Sequence, residues 1–213
     1  MADIDTKTKI MDAAESLFAT HGFGAVSLRT IIKQAKVNTA AVHYHFGSKD
    51  GLIEAVLQRR AAPINQERLE RLDAIESRHG SGPLPLDDVM EAFLAPVIRI
   101  RRSPPAESRL LSQLLGRAIT EPGHGVKGSM RSVFSEIFER FSRAFVRALP
   151  ELDPEDVIRR MYFVVGALAF TVAGPHVEDD DTASINDQDA HRTLENLMQF
   201  AIAGLRATGT RND

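Results

Sequence analysis

From Thr6 to Leu205 the apolar residues recur at intervals of three and four, and no stretch alternates strictly between apolar and polar. That spacing turns one face of a helix toward a core and leaves strands without support, so an all-α fold is expected. Helix boundaries follow from local chemistry. A first helix runs from Thr6 to Thr20, with Ile10, Ala14, Leu17 and Phe18 on one face and Gly22 as its stop. Ser27, Asn38 and Ser48 are cap candidates for three further helices. The second buries Leu28, Ile31 and Ile32, the third ends near His45, and the fourth carries Asp50 in its first turn. Pro63 is expected to kink or end that fourth helix. Later helical segments span 86–102 with a bend at Pro96, then 104–120, 126–148, 154–175 and 188–206, about nine helices in all. Ser103 before Pro104 and Asp153 before Pro154 place a cap ahead of a proline at the first helical position. "HGSGPLPL" (79–86) reads as a linker, "EDDDTASIND" (178–187) as a loop, and the end of the chain as a frayed tail.

Composition excludes several classes of function. With 213 residues, 43% of them apolar, the chain can bury a sizeable core. It has no cysteine, hence no disulfide and no thiolate metal site, which suits a reducing, cytoplasmic location. The opening "MADIDTKTK" has no apolar signal core. "MYFVVGALAFTVAGP" (161–175) ends in a proline and falls short of the roughly 20 residues that span a bilayer, so no membrane partner is expected. The net charge of −3 argues against a globally basic nucleic-acid binder. The charge is unevenly placed, however. Residues 16–49 contain no Asp or Glu, and the four cations Arg29, Lys33, Lys36 and Lys49 leave −7 on the rest of the chain. A small cationic segment on an acidic body fits phosphate contact, although clustering by chance gives the same pattern.

The densest part of that segment is "SLRTIIKQAKVNTAAVHYHFGSKDGL" (27–52). Two short helices joined only by "KQAKVN" cannot lie side by side and must cross steeply, forming a helix-turn-helix. At about 100° per residue, with Thr39 at 0°, His43, Ala40 and Tyr44 fall at about 40°, 100° and 140°. Ala41, Val42, His45 and Phe46 lie opposite. The first face carries a hydroxyl, a methyl, an imidazole and a phenol. Small residues allow close approach to a major-groove floor, and His and Tyr reach base edges or phosphates. An ordinary solvent-facing helix surface has the same composition. Neither His43 with His45, which point away from each other, nor the acidic 178–181 run makes a persuasive metal site. No catalytic set or cofactor-binding motif stands out.

With "KIMDAAESLFATHGFGAVS" before it, this stretch resembles the N-terminal DNA-binding domain of the TetR family of bacterial transcriptional regulators over residues 7–57. The resemblance implies a DNA-binding domain over 1–57, a ligand-binding and dimerisation domain over 58–206, and a flexible tail over 207–213. It implies a homodimer on a palindromic operator in double-stranded DNA, with repression relieved by a small molecule. Position by position, Thr39, Ala40 and His43 match base-facing residues, Tyr44 and Lys49 match backbone contacts, and Ser27 and Arg29 match residues approaching phosphate or an adjacent base. His45 matches a phosphate-contacting position but lies on the inward side of the helix, which fits packing equally well. One departure is the turn, Ala35-Lys36-Val37 where the family has Ala-Gly-Val. A left-handed backbone there costs lysine roughly 1 kcal/mol relative to glycine.

In the remaining residues Phe134, Phe138, Phe141 and Phe145 form an aromatic stripe along one helix, joined by Met90, Phe93 and Val97 and by Leu111 and Leu115. Periodicity alone does not separate a filled core from a cavity. "SRLLSQLLGRAITEP", the Phe-rich helix and "RRMYFVVGALAFTVAG" loosely resemble the fatty-acid-responsive subgroup of these regulators, which implies an apolar effector of acyl type, a fatty acid or acyl-CoA. The candidate lining is Met90, Phe93, Val97, Leu111, Leu115, Phe134, Phe138, Phe141, Phe163 and Phe170. Segment 161–174 is apolar on almost every face and rich in Gly and Ala, and in the family its counterpart joins the last helix in a four-helix dimer interface. Residues 154–175 and 188–206 are therefore the expected interface. A helical small-molecule enzyme, or an adaptor without DNA affinity, is the alternative reading.

Overall fold

The computed structural model describes residues 2–99, 105–120, 123–173 and 187–207. The Ser103–Pro104 start, the 178–186 part of the acidic loop, Gly174, Pro175 and the tail from 208 lie outside these residues. Among the described residues there are nine α-helices and no strand: α1 (Ala2–His21), α2 (Leu28–Ala35), α3 (Thr39–Phe46), α4 (Lys49–His79), α5 (Leu86–Ile98), α6 (Pro105–Thr120), α7 (His124–Ala148), α8 (Pro154–Ala173) and α9 (Asp187–Arg206). None of the described helices is long and apolar enough to cross a membrane. The chain divides into two compact units, Met1–Pro63 with Ala106–Ser135, and Ile64–Pro105 with Glu136–Asp213. Helices α4 and α7 contribute residues to both.

The first unit is organised around one apolar cluster. Ile10, Ala14, Leu17 and Phe18 of α1, Ile31 of α2, Val42 of α3 and Leu52, Val56 and Leu57 of α4 are buried in it, with Leu114 and Ala118 of α6 and Val126 and Val133 of α7. Leu28, Ile32 and Phe46 are partly buried against it. Gly22 ends α1 at φ 86, and its N–H donates to the Phe18 carbonyl at 2.9 Å. Arg117 of α6 donates to the carbonyls of Ala19 and Thr20 at 2.8 and 2.7 Å, placing a cation on the negative end of α1. Glu15, only 1% exposed, receives hydrogen bonds from both Arg59 and Arg60, and Arg59 also reaches Asp12 at 2.7 Å. Partial burial works against the charge on Arg59, but the bonds to Glu15 and Asp12 outweigh it and raise its pKa. Removing the Glu15 carboxylate would take a partner from both guanidiniums at once, leaving Arg59 its bond to Asp12.

Of the two outcomes expected at Pro63, a kink or an end, the end does not occur: α4 is assigned from Lys49 to His79 with Pro63 inside it. Proline removes one N–H and crowds the preceding turn, at about 3 kcal/mol. Here Leu57 and Ala61 are buried before it and Arg68 and Leu72 after it, so tertiary packing holds both turns in place. The segment at 86 is α-helical from Leu86 to Ile98, with Pro96 inside it, and residues 100–102 lie outside the described residues.

In the second unit, Phe93 of α5 and Phe141 and Phe145 of α7 form a ring cluster with centroids 5.0 to 6.3 Å apart. Arg140 of α7 binds Asp73 and Glu76 of α4 at 2.6 and 2.8 Å. The stretch after α4 is pinned rather than free, because Arg147 donates to the carbonyls of Gly80 and Gly82 at 2.5 and 3.0 Å. Asp153 caps α8 through the Glu155 N–H at 2.8 Å, with Pro154 in the first helical position. Arg160 of α8 donates to the Leu205 carbonyl near the end of α9 at 2.7 Å.

The turn between α2 and α3 adopts the left-handed backbone at Lys36, φ 54 and ψ 44, the sole positive φ outside glycine among the described residues. The Lys36 N–H bonds to the Ile32 carbonyl, and the Val37 N–H reaches the same oxygen at 3.3 Å, a tight helix stop of the kind glycine normally occupies. Lys36→Gly should therefore raise the unfolding free energy by about 1 kcal/mol. Urea denaturation of the two proteins measures this; a fall in stability would contradict the turn geometry.

Candidate nucleic-acid interface

Three caps build the recognition region. The Ser27 hydroxyl accepts from the Thr30 N–H at 3.1 Å and opens α2. The Asn38 side-chain oxygen accepts from the Ala41 N–H at 2.8 Å and opens α3. The Ser48 hydroxyl accepts from the Gly51 N–H at 3.1 Å and opens α4. Gly51 is required for a second reason: a Cβ there would fall 2.2 Å from the Phe46 carbonyl oxygen, so the close passage of the α3 end over the α4 start excludes larger residues. In the same unit a side chain at Gly125 would collide with the Asp50 carboxylate, which sits at the first turn of α7.

The sequence-derived faces of α3 are reproduced in burial. Thr39, Ala40, His43 and Tyr44 are exposed, Val42 is fully buried, and Ala41, His45 and Phe46 are intermediate. Ser27 and Arg29 at the start of α2, with Lys33 and Lys36, are also exposed, and Lys49 is half-buried. His45 stands edge-on to Tyr44 with ring centroids 5.0 Å apart, so part of its surface serves local packing. His43 Nδ1 lies 2.9 Å from the Gly47 carbonyl. A carbonyl only accepts, so Nδ1 carries the proton, and in the neutral ring Nε2 is an acceptor. In that state it complements an exocyclic amino group of adenine or cytosine; protonated, it donates to guanine or phosphate.

The ten apolar residues expected around an effector are distributed over both units. Met90, Phe93, Val97 and Phe141 are buried and Phe138 half-buried in the second unit, whereas Leu111, Leu115 and Phe134 belong to the first. Phe163 and Phe170 are 68% and 75% exposed. Tyr162 and Phe200 join them as exposed aromatics on α8 and α9, and sequence pattern singled out neither. Helical spacing marks Tyr162 only as a neighbour of Phe163, and Phe200 stands outside the apolar stripe of α9. Gly166 and Gly204 open onto empty space. Among the described residues no group of His, Asp or Glu is arranged to hold a metal.

A capped eight-residue helix with an outward face of short and aromatic polar groups, set on a helical bundle, defines a helix-turn-helix regulator. Residues 10–56 match the family of bacterial regulatory proteins called the tetR family, and residues 91–204 match the tetracyclin repressor-like C-terminal domain. The chain belongs to that family, whose members are DNA-binding transcriptional regulators and not enzymes. Such regulators bind operators, form homodimers and bind small-molecule effectors. The HTH-type transcriptional regulator UidR of Escherichia coli K12 is 31% identical over 74 residues, which are 33% of this chain and 38% of UidR. This chain thus matches well under half the length of that relative. The solved complex of SmeT with triclosan superposes with a TM-score of 0.65 at 20% identity, covering 98% of this chain and 97% of the other. FadR of Bacillus subtilis with stearoyl-CoA gives 0.62 at 13% identity, covering 92% and 98%. At those identities the two structures speak to the fold.

Proposed function

We propose that this chain is a ligand-responsive repressor that reads a palindromic operator through residues 1–57 and binds its effector and its partner copy through 58–206. The observation that carries the DNA reading is the outward face of α3, where every residue free of packing is one that can meet a base edge or a phosphate. Thr39, Ala40 and His43 read bases. Tyr44, His45, Lys49, Ser27 and Arg29 grip the backbone, and the capped N-terminus of α3 adds partial positive charge. Lys49→Ala should weaken all DNA sequences alike and lower the salt slope by about one unit. His43→Ala should instead relax specificity at one base pair, at about 1–3 kcal/mol. Fluorescence anisotropy at several salt concentrations separates the two effects. If both variants bind as the parent does, the docking face is misassigned.

A second copy is proposed to cover 154–175 and 188–206. One domain reads only a short half-site, and two-fold pairing supplies the second. The exposed aromatics Tyr162, Phe163, Phe170 and Phe200, beside the uncovered Gly166 and Gly204, favour this face, so Phe163 and Phe170 move from the effector set to the interface. Phe170→Glu should convert the dimer to a monomer in sedimentation and abolish tight operator binding. A variant that sediments as the parent dimer contradicts the interface.

The effector is proposed to be apolar and of acyl type. Support comes from Met90, Phe93, Phe138 and Phe141 together with the stearoyl-CoA held by the FadR neighbour; the triclosan held by SmeT is apolar but not acyl. Each buried methylene adds about 0.8 kcal/mol, roughly fourfold in affinity, so release from the operator should strengthen with chain length. The ligand acts only through its preference for the non-binding conformation. Titrating acids and thioesters of increasing length against the operator complex tests this, and a series in which none shifts the curve removes the acyl assignment.

A further inference from the structure

Among the described residues Lys36 alone, glycines aside, holds a positive φ, at φ 54 and ψ 44. The fold asks only for the backbone at this position, whose N–H bonds to the Ile32 carbonyl and closes α2. Glycine makes the same bond with no Cβ pressed against the chain, and asparagine makes it at a smaller cost than lysine. The Lys36 side chain is exposed, between Ala35, which is buried, and Val37, which is partly buried against the cluster of the first unit. Lysine therefore costs stability here without filling any part of the core.

A strained residue that the core does not require points to a role outside the fold. Residue 36 stands at the corner between α2 and α3, two positions before Asn38, whose side chain caps α3. Thr39 and Ala40, the proposed base readers, are the first two residues of α3, so the end of α3 that meets DNA is the end joined to Lys36. In helix-turn-helix docking the first helix crosses the DNA backbone while the second enters the groove by its N-terminal residues, and the corner lies where backbone gives way to groove. The outward side of α2 already carries cations. Arg29 and Lys33, four apart, share one exposed face, while Ile31, about 200° round the helix from Arg29, is buried. Lys36 follows Lys33 just past the last turn, and no Asp or Glu between residues 16 and 49 competes with phosphate for these charges. An ammonium on a flexible stem needs no fixed geometry to meet a phosphate, which suits it to such a corner.

We infer that Lys36 is a phosphate-binding residue of the DNA interface, and that its charge is what the strained turn is kept for. The group it meets is the sugar–phosphate backbone at the groove edge, next to the base pairs read by Thr39 and Ala40. This rests on the proposed DNA reading of α3 and extends it to the turn. A phosphate contact carries no base information, so Lys36 adds affinity to every sequence alike. Stability and DNA affinity then respond in opposite directions to a change at one residue.

The test uses the full-length protein with Lys36→Gly, Lys36→Asn and Lys36→Arg. Each is followed by urea denaturation, and by fluorescence anisotropy at several salt concentrations on the tightest duplex selected from a random pool and on a scrambled duplex. Lys36→Gly should be more stable than the parent, yet bind both duplexes about eightfold more weakly per copy at 100 mM salt, with the salt slope reduced by about 0.9 per copy. Lys36→Asn, which tolerates the left-handed backbone without the charge, should bind as the glycine variant does. Lys36→Arg keeps both charge and strain and should bind within twofold of the parent. A Lys36→Gly protein with the parent's affinity and salt slope overturns the inference and leaves the DNA reading standing. So does a Lys36→Arg protein as weak as the glycine variant, since the charge is then not what DNA meets. A loss confined to the selected duplex replaces the backbone contact with a base contact and overturns the inference as well. A parent that selects no duplex at all overturns the DNA reading and the inference together.

Discussion

Helices of eight residues do not persist alone in water, where even favourable sequences need about 12–15. Both halves of the helix-turn-helix, α2 and α3, have that length. They stand because Ile31 and Val42 are sunk into a cluster supplied by α1 and α4, and because Ser27, Asn38 and Ser48 satisfy the N–H groups that short helices leave bare. The consequence is a strict division of labour on α3. Val42 holds the helix in place, and Thr39, Ala40, His43 and Tyr44 have no share in the core. Those four positions are free to change with the DNA sequence at little cost to folding.

That division was legible in the sequence because every signal in it is local. Caps act over three residues, the two faces of α3 follow from 100° per residue, and Gly22 and the Asp153-Pro154 pair act within one turn. Local rules miscarried where distant residues decide. Pro63 is a helix breaker by rule, and α4 passes through it because Leu57, Ala61, Arg68 and Leu72 are buried on either side. Glu15, Arg59 and Arg60 are some 45 positions apart along the chain, and charged residues on amphipathic helices read as solvated. Arg68 is concealed in "INQERLERLDAIESR" for the same reason. Periodicity also does not say which apolar residues of a nearly all-apolar helix face inward, and Phe163 and Phe170 of the expected effector set are exposed.

Charge is managed differently in the two units. In the first, the buried carboxylate of Glu15 ties α1 to α4 through two arginines. In the second, surface pairs such as Arg140 with Asp73 and Glu76 brace α7 against α4, while the buried Arg68 donates to the Phe93 carbonyl and stacks on the Phe93 ring. The helix that carries Arg68 is the same helix that begins at Lys49.

The cationic segment limits how tightly one copy can hold DNA. Arg29, Lys33, Lys36 and Lys49 are its only permanent charges. At about 0.9 per phosphate contact they give a salt slope near −3.6, about a hundredfold loss of affinity between 50 and 200 mM salt. A grip that modest does not by itself hold an operator against the nonspecific DNA around it. On the proposed dimer, tight binding depends on a second copy engaging in register, where the linked half-site is met at high effective concentration. An effector need not reach the recognition helix or mask one of its side chains. It has only to favour a conformation in which the two copies cannot engage both half-sites together, and the affinity falls toward that of a single copy.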